Sequence, residues 1–511
     1  MPALITGGVA PGVHVHLNEG QISRPAPPET ASTFFLVIYS TWGPVNQPTV
    51  ITSYADCTRH FGGLDPNSHG MDALNIYFNR FPGTRAVVCR VVGTGAAVAT
   101  ATLQDRGVGG NQHNTLRIDA KHPSSAVAVR YTVEDGTIGN TFKLTVYSPT
   151  LGSMSKEVYD NLMMDAPSIA RVNQQSKLVK LTNLNSANVA PTNRPVVTAD
   201  TSLHGGSDDF DSLTDADFIG TDSGDAKTGL QAFNSDEWGT GQVAIPGITT
   251  DATHAALIAH AEAFKRLALL DPPLGSEKSD VVGIRSLYGT NFAALYWPYI
   301  EMLDLAGSTL HKFYAPSGAV AGACARADLE HGPHKAPANY VIPGALDVER
   351  YAGGAAQTDE GTRAYLNDNQ VNVITPLPAQ GIKIYGDRVM TGDNRVQMVH
   401  EIRVLNLIFY QLKRMYQGLP FGVVNGEAFF RQVRSITESY LRTLYRAGAL
   451  TGDREKDAFV VICDRTNNPP EELDAQRVHV QIGVHIVASA EMIFVNVDNV
   501  PLTQDLSVLQ N

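Results

Sequence analysis

The 511-residue chain is 43% hydrophobic and 18% charged, and its formal net charge is −12 at pH 7. Because single hydrophobic cores stop growing at roughly 250–300 residues, this length predicts about two to four domains. The negative charge argues against a protein whose main task is to wrap DNA, and the absence of any stretch of about 18 apolar residues excludes a transmembrane helix.

Both ends of the chain predict extended arms. The segment 12–17 alternates apolar and polar residues as a strand does, and a Pro-rich segment, 24–28, separates it from the next strand. A lone strand needs a sheet edge to pair with, either its own or that of a neighbouring copy. A second short extension follows residue 497. The apolar residues of the two arms are Val13, Val15 and Leu17 at the N-terminus and Leu502, Leu506 and Val508 at the C-terminus.

The start of the chain lacks the basic and apolar regions of a secretory signal, so no such signal is expected. The four cysteines, at 57, 89, 324 and 463, are far apart and form no C-x-x-C motif. Neither a disulfide framework nor a Cys-based zinc site is therefore predicted, and synthesis in a reducing compartment is favoured.

The body of the chain predicts a mixed α/β protein. Two buried strands, 33–39 and 86–92, enclose two helices, an order typical of an α/β layer. Strand-like runs within 116–147 predict a small β-rich insertion, and the acidic, Gly-rich segment 205–240 predicts loops. The further elements predicted, in chain order, are helices over 53–61, 71–81 and 252–264 and a strand over 266–270.

The last third is the most regular part of the sequence. Two amphipathic helices, 397–416 and 427–446, carry apolar residues at helical spacing, so both should face a core. Strands are predicted over 459–463, 478–487 and 492–497. The apolar stripe of the first helix is Met398, Ile402, Leu405, Ile408, Phe409, Leu412 and Met415, and that of the second is Phe430, Val433, Ile436, Tyr440, Leu441 and Leu444.

Charge is unevenly distributed along the chain. Residues 200–240 carry ten acidic side chains against one Lys, whereas residues 380–450 carry ten basic side chains against five acidic ones. Both segments are interpreted either as solvated faces or as complementary patches through which copies of the protein meet.

The sequence contains little that indicates catalysis. The phosphate-binding, dinucleotide-binding, zinc-protease and nucleophile-elbow motifs are all absent. Asp271 ends a predicted strand, where α/β enzymes place catalytic carboxylates, but the Pro-Pro that follows fits a turn equally well. His331 and His334 are three residues apart with Pro between them, which denies them a common helical face for a metal.

Several short segments resemble one family when taken in order. PGVHV at 11–15, GPVNQP at 43–48 and AVVCRV at 86–91 precede APSGAVAG at 315–322 and KAPAN at 335–339. These segments are similar to the motifs of contractile tail sheath proteins, which occur in phages with contractile tails and in related injection machines. The most specific motif residues are Pro316, Ser317, Gly318, Gly322, Lys335, Ala336, Pro337 and Asn339, with Gly386 and Arg388 in GIKIYGDR at 381–388.

Three positions depart from the family pattern. His334 stands where the family has Trp before the KAPAN-like run, Tyr385 replaces another Trp, and Asp387 replaces Ala. These departures affect the packing expected around each motif.

The resemblance, with the predicted elements, implies a multidomain mixed α/β fold. We expect a discontinuous α/β core built from N- and C-terminal parts, because neither part has enough strands for a sheet of its own. The parts expected are an N-terminal strand arm (1–20), the first core part (21–112), a small β-rich insertion (113–200), a subtilisin-like α/β insertion (201–344), the second core part (345–497) and a C-terminal arm (498–511), with 113–344 pointing outwards.

The resemblance also implies a function. The expected protein is a structural subunit, without catalytic activity or cofactor, that stacks in rings around an inner tail tube and contracts irreversibly to drive the tube through the target cell envelope. Its implied partners are copies of itself, the tube protein, and baseplate and tail terminator proteins, without nucleic-acid binding or membrane insertion. Its implied location is the virion tail, assembled in the host bacterial cytoplasm. A diverged subtilisin-like hydrolase is the alternative, followed by a capsid or tube protein.

Overall fold

The computed structural model describes residues 31–152, 155–307, 309–351, 360–392, 395–419 and 427–491. Both predicted arms, with Val13, Val15, Leu17, Leu502, Leu506 and Val508, and the strand predicted over 492–497 lie outside the described residues. Within the described ranges, no helix combines the length and the apolar character needed to span a bilayer.

The first described segment alternates strands and helices. It comprises β1 (Thr33–Tyr39), β2 (Thr49–Ile51), α1 (Tyr54–Phe61), α2 (His69–Asn75), a π-helical turn (Ile76–Arg80) and β3 (Ala86–Val91). Ser53 and Ser68 cap α1 and α2 by accepting hydrogen bonds from backbone N–H groups of the first turn. The strand predicted over 33–39 is confirmed, and the helix predicted over 71–81 begins two residues earlier and widens into the π-helical turn.

The next segment is rich in antiparallel strands and has its own core. Its elements are β4 (Thr100–Gln104), β5 (Asn114–Ala120), β6 (Arg130–Asp135), β7 (Phe142–Tyr147), β8 (Glu157–Leu162), α3 (Ala166–Gln175), β9 (Val179–Asn183) and β10 (Thr198–Ser202). They form one sheet in the order β4-β5-β9 and a second in the order β10-β6-β7-β8. The apolar faces of these sheets enclose side chains such as Leu116, Val133, Phe142 and Leu144. We call residues 97–208 the β-rich unit.

The middle of the chain returns to alternating strands and helices. Its elements are α4 (Asp215–Ile219), β11 (Gly241–Ala244), α5 (Asp251–Phe264), β12 (Leu267–Leu270), α6 (Lys278–Ser286), β13 (Ala293–Trp297), β14 (Ile300–Leu303), β15 (His311–Tyr314) and α7 (Pro316–Glu330). The helix predicted over 252–264 and the strand predicted over 266–270 are confirmed to within one residue.

The last described part holds the longest helices. Its elements are β16 (Asp347–Val348), α8 (Glu360–Asp368), β17 (Val371–Leu377), β18 (Gly381–Tyr385), α9 (Val399–Tyr416), α10 (Glu427–Arg446), α11 (Glu455–Ala458), β19 (Phe459–Ile462), α12 (Pro470–Asp474) and β20 (Gln481–Val484). β14, β15 and β16 form a small sheet, and β19 pairs with β20 as a two-stranded ribbon that packs beside α10.

One eight-stranded sheet forms the centre of the fold, in the order β18-β17-β13-β12-β11-β1-β3-β2. Its six inner strands are parallel, and only the two edge strands are antiparallel to their neighbours. Helices α2, α7 and the start of α9 cover one face, while α5, α6 and α8 cover the other. A sheet covered on both faces explains why β1, β3, β12 and β13 are continuous apolar runs rather than alternating ones. The mixed α/β class is confirmed.

The expected division of this sheet is wrong in one respect. Strands β11, β12 and β13 come from residues 201–344, which were expected to point outwards, yet they lie between β1 and β17 at the centre of the sheet. All three strands are buried along their whole length, so they need a neighbour on each edge and a helix on each face. The N- and C-terminal parts therefore share a core through these strands and not by pairing directly.

The first long C-terminal helix buries only part of the predicted stripe, since Ile402, Ile408 and Leu412 are buried as expected. Phe409 and Met415 are 48% and 42% exposed, although the apolar pattern placed them in the core. The buried face instead includes the polar side chains of His400, Arg403 and Gln411, because the first half of α9 is enclosed by other elements. In α10, the predicted Phe430, Val433 and Leu441 are buried as expected, whereas Ile436, Tyr440 and Leu444 are only half-buried. 

A buried arginine joins the central sheet to the β-rich unit. Arg90 on β3 is fully buried and donates hydrogen bonds to the backbone oxygens of Ser40 (2.7 Å), Gly43 (2.9 Å) and Pro123 (2.9 Å). Burial lowers the pKa of Arg90 to about 10, so the side chain remains charged at neutral pH. The guanidinium thus satisfies carbonyls from two parts of the fold at once.

Replacing Arg90 by Met should destabilise the protein by about 2–5 kcal/mol, because three buried carbonyls lose their donor. Chemical denaturation of the purified protein measures this change. The control is Arg117→Met, which removes a half-exposed arginine from a surface pair with Asp119 and should change stability by less than about 0.5 kcal/mol. Equal stability of the two variants would show that Arg90 does not hold the junction.

Candidate functional site at the start of helix α7

The motif residues Pro316 and Ser317 form the first turn of α7, and a carboxylate caps this turn. Asp271, the residue directly after β12, accepts hydrogen bonds from the backbone N–H of Ser317 (2.8 Å) and from its hydroxyl (2.7 Å). The first N–H groups of a helix have no hydrogen-bond partner within the helix. The N-terminus is also the positive end of the helix dipole, which favours a carboxylate at this position. Asp271 thereby fixes α7 to the end of the central sheet.

The surroundings of Asp271 do not form a Ser-His-Asp site. Burial raises the pKa of Asp271 to about 6, and the hydrogen bonds from Ser317 and the Gly247 backbone only partly offset this effect. His254 contacts the backbone oxygen of Asp271 (3.1 Å) and does not stand between the carboxylate and the serine. The hydroxyl of Ser317 points to Asp271, and Ser317 is 1% exposed, so it is not presented to a substrate. The strand-end carboxylate is a helix cap.

The two glycines of the motif allow α7 to pack closely against the N-terminal helices. A Cβ atom on Gly318 would lie 2.7 Å from Cα of Ala73 on α2, and one on Gly322 would lie 2.5 Å from the ring of Phe81. Both distances are shorter than van der Waals contact, so only glycine fits at these positions without moving the helices. The four-residue spacing of Gly318 and Gly322 places both on one face of α7.

The KAPAN-like segment covers the edge of the central sheet. Ala336 and Pro337 are buried, whereas Lys335 is exposed. Asn339 has a φ of +64°, donates its backbone N–H to Ile384 (2.7 Å), and accepts a hydrogen bond from Lys383 (2.9 Å). The following residues, 340–342, exchange backbone hydrogen bonds with β18, so that this edge strand is not left open.

The third motif segment, around Gly386 and Arg388, turns away from the edge strand β18. A Cβ atom on Gly386 would lie 2.7 Å from the amide oxygen of Asn372 on β17, and that same oxygen accepts the backbone N–H of Arg388 (2.6 Å). The Arg388 side chain donates to Gln397 (2.9 Å) and forms an ion pair with Glu491, the last residue that the structure describes.

Two buried ion pairs lie between these segments. Asp387 pairs with His400 on α9 at 2.5 Å, and Arg403, one turn further along α9, pairs with Asp328 on α7 at 2.5 Å. Burial raises the pKa of Asp387, and although burial alone would lower the pKa of His400, its hydrogen bond to Asp387 raises it. Asp387, a departure from the family pattern, is thus matched by a buried histidine.

The structure places most of the predicted motif residues at packing contacts, and it adds three residues that the sequence analysis missed. Pro316 to Gly322 lie in the first two turns of α7, Gly386 to Arg388 lie beside the first turn of α9, and Lys335 is exposed. The residues missed are Asp328, His400 and Arg403. Their signal was present, because His400 and Arg403 are polar residues three apart on a helix face that is otherwise apolar.

Titratable groups elsewhere in the described chain do not form a metal centre. In these residues, no group of three or more His, Cys, Asp or Glu side chains is arranged to hold a metal ion. All four cysteines are buried and unbonded to one another. Burial raises the pKa of every thiol, to about 12 for Cys89 and Cys324.

Comparison with known proteins gives a consistent result. Residues 222–390 match the family model of the phage tail sheath protein central domain. The tail sheath protein of Burkholderia phage BcepMu is 24% identical over 279 residues, which are 52% of this chain and 57% of that protein. The tail sheath protein of Enterobacteria phage T4 is 28% identical over 157 residues, 30% of this chain and 22% of that protein. The aligned region thus spans less than two thirds of these curated relatives.

Solved structures extend the likeness in fold to nearly the whole chain. A sheath tail protein from Listeria innocua superimposes with a TM-score of 0.59 at 14% identity, covering 86% of this chain and 89% of that one. The sheath of an extracellular contractile injection system in its contracted state gives a TM-score of 0.55 at 15% identity, covering 98% and 100% of the two chains. The central part of the chain is therefore similar to the central domain of phage tail sheath proteins. The fold resembles that of sheath proteins over nearly the whole chain.

Replacing Gly318 by Ala should destabilise the protein by about 1–3 kcal/mol, because the added methyl group forces α7 away from α2. The matched control is Gly283→Ala in α6, where a Cβ atom meets nothing within 4 Å. That change should stabilise the protein by about 0.5–1 kcal/mol through the higher helix propensity of alanine. Chemical denaturation compares the two variants. If both stabilise the protein alike, the close packing of α7 is not what the motif glycine provides.

Replacing Asp271 by Asn should remove the contribution of this carboxyl group to the pH dependence of the free energy of unfolding. Because its raised pKa means that the folded state binds the proton more tightly, Asp271 contributes stability at low pH that is lost as the pH rises from about 4 to about 6. The free energy of unfolding of the wild type minus that of the Asn variant should therefore fall by up to roughly 3 kcal/mol over this range, at about 1.4 kcal/mol per pKa unit.

Urea denaturation at several pH values measures this difference. Asp271→Ala is the companion variant, and it should be about 2–4 kcal/mol less stable than the wild type, because Ser317 loses its acceptor. A difference between wild type and Asn variant that does not change with pH would contradict the buried, titrating cap.

Proposed function

We propose that the chain is a structural subunit of a contractile tail sheath, which polymerises as stacked rings around an inner tail tube and contracts to drive the tube through the target envelope. The observation that carries this proposal is the match of residues 222–390 to the sheath central domain, set within a fold that resembles sheath proteins over nearly the whole chain. The proposed partners are other copies of the chain, the tube protein, and baseplate and tail terminator proteins. The proposed location is the tail of a virion or injection particle, assembled in the bacterial cytoplasm.

The central sheet and the helices that cover it are packed in a way that suits movement as a rigid body. Both faces of the central sheet are covered by helices, and Asp271 and Gly318 attach α7 to the sheet and to α2. In this proposal, contraction changes the contacts between such bodies and not their interior, because packed cores switch between discrete arrangements and do not deform continuously. The work would come from better subunit contacts in the contracted lattice, without a cofactor.

The ribbon of β19 and β20 is the surface that we propose to receive the arms of neighbouring copies. Two-stranded ribbons are marginal alone, and their outer edges present backbone groups that can pair with a further strand. In the described part of the chain the ribbon has no third strand, and Val460 on β19 is 54% exposed. An alternating segment such as 12–17 would extend this ribbon by backbone hydrogen bonds, leaving neighbours joined while their bodies reorient.

Some side chains of the acidic segment 200–240 and the basic segment 380–450 form ion pairs with each other within one subunit. Lys413 of the basic segment pairs with Asp236 of the acidic segment at 2.5 Å in the same chain, at an exposed position. Exposed pairs contribute about 0.2–1 kcal/mol each and are screened by salt. Asp222, Arg434 and Arg442 likewise pair within the chain. We propose that the other charged side chains of these segments meet between copies, so that weak pairs can be exchanged when the lattice changes. The candidates are Asp211, Asp215 and Asp225 in the acidic segment and Arg431 and Arg446 on α10.

We propose a purely structural role for the cluster around α7. The alternative, a diverged subtilisin-like hydrolase, needs an accessible nucleophile next to a histidine. The buried serine that donates to Asp271 offers neither, and the subtilisin-like character expected for residues 201–344 stays a prediction about fold.

Deleting residues 1–20 should give a folded monomer that no longer forms tubes, because the deletion removes a donor strand and none of the described core. Val15→Pro should act similarly, since it removes one N–H donor from the strand. Circular dichroism and electron microscopy of the purified proteins test the fold and the tubes together. Ser23→Pro, directly before the Pro-rich segment 24–28 and outside the predicted strand, is the control and should leave tube formation unchanged.

Two outcomes would contradict this proposal. Normal tubes from the truncated protein would exclude strand donation by the N-terminus. An unfolded monomer would show that the segment belongs to the subunit's own core. Failure of the full-length chain to form tubes, with monodisperse particles under all conditions tested, would argue against the sheath function itself.

A further inference from the structure

The last described residues, 485–491, lie against the core through two side chains. The ring of His400 on α9 donates a hydrogen bond from Nε2 to the backbone oxygen of Val487 (3.2 Å). Four residues later, Glu491 forms an ion pair with Arg388, and the side chains of both residues are only about one fifth exposed. These contacts come from two different elements, the turn after β18 and the first turn of α9.

Both side chains are themselves held in place. Asp387 accepts a hydrogen bond from Nδ1 of His400 at 2.5 Å, and His400 is fully buried, so its Nε2 has a fixed direction. Arg388 is held by Gln397 through its side chain and by Asn372 through its backbone N–H. Asn372 lies on β17 and also donates to the backbone of β13, which connects the arrangement to the central sheet.

The segment has few other attachments. Beyond β20, its backbone is held by His485 N–H to the oxygen of Ala458 (2.9 Å), by the oxygen of His485 to Thr451 N–H (2.9 Å) and by Val487 N–H to the oxygen of Ala449 (3.2 Å). All of these partners belong to the peripheral part that carries the two-stranded ribbon. His400 and Arg388 make the polar contacts between this segment and the elements that pack on the central sheet. Ile486 adds an apolar contact with the cluster that includes Val404 and Ile408 of α9.

We propose that Arg388 and His400 anchor residues 485–491 to the elements that pack on the central sheet. The partners of this anchor are the chain's own backbone and one acidic side chain, so the anchor acts in the isolated monomer.

Hydrogen exchange of the full-length monomer tests the anchor, with the amides of His485 and Val487 as reporters. Glu491→Lys places a positive charge beside Arg388, and exchange at both reporters should become roughly five- to tenfold faster, because a favourable ion pair is replaced by repulsion. Glu491→Gln, which removes only the attraction, should give a smaller increase of about two- to fivefold. Both substitutions change a surface side chain and should leave the core folded.

The matched control is Glu471→Lys, which makes the same charge change on exposed helix α12 and should leave both reporters unchanged. Unchanged exchange in both Glu491 variants would overturn the anchor. So would an increase that is equally large in β12, because that result indicates general destabilisation. The experiment requires no assembly, so its outcome stays separate from whether the full-length chain forms tubes.

Discussion

Both faces of a parallel sheet are apolar and must be covered by helices, and most of this structure follows from that constraint. The six inner strands have no solvent-facing side, so each crossover must place a helix on one face or the other. The helices on one face are brought so close together that α7 tolerates no Cβ at two positions facing α2 and the π-helical turn. The backbone N–H of Ser317 in the first turn of α7 is then buried as well, and the strand-end carboxylate of Asp271 accepts its hydrogen bond.

The residues by which the chain resembles tail sheath proteins lie at packing contacts between helices and sheet. Gly318 and Gly322 set a distance between helices, Ser317 completes a helix cap, and Asn339 turns a segment onto the edge of the sheet. Arg388 connects the same region to the last described residues. In the proposed sheath function such contacts would be needed, because any force passing between neighbouring copies must cross the body without deforming it.

Sequence reasoning predicted the elements better than their arrangement. β1, β3, α5 and α10 could be predicted because a fully apolar run or a 3.6-residue period survives in the sequence. The central position of β11 to β13 could not, since a strand buried on both faces loses the alternation that shows which side faces the core. The cap between Asp271 and Ser317 joins residues 46 positions apart, and no local pattern indicates such a pairing. The burial of His400 and Arg403 was not predicted. They lie on an amphipathic helix whose predicted apolar stripe included Phe409 and Met415, and both of these residues are exposed.

The burial of every cysteine has a consequence for the proposed sheath particle. A thiol reacts with oxidants or with another thiol as an exposed thiolate, and burial raises the pKa of all four thiols here. None of the four sulfurs is exposed on the folded chain, where it could cross-link neighbouring copies. A sheath built from such subunits would therefore tolerate a change from reducing to oxidising surroundings.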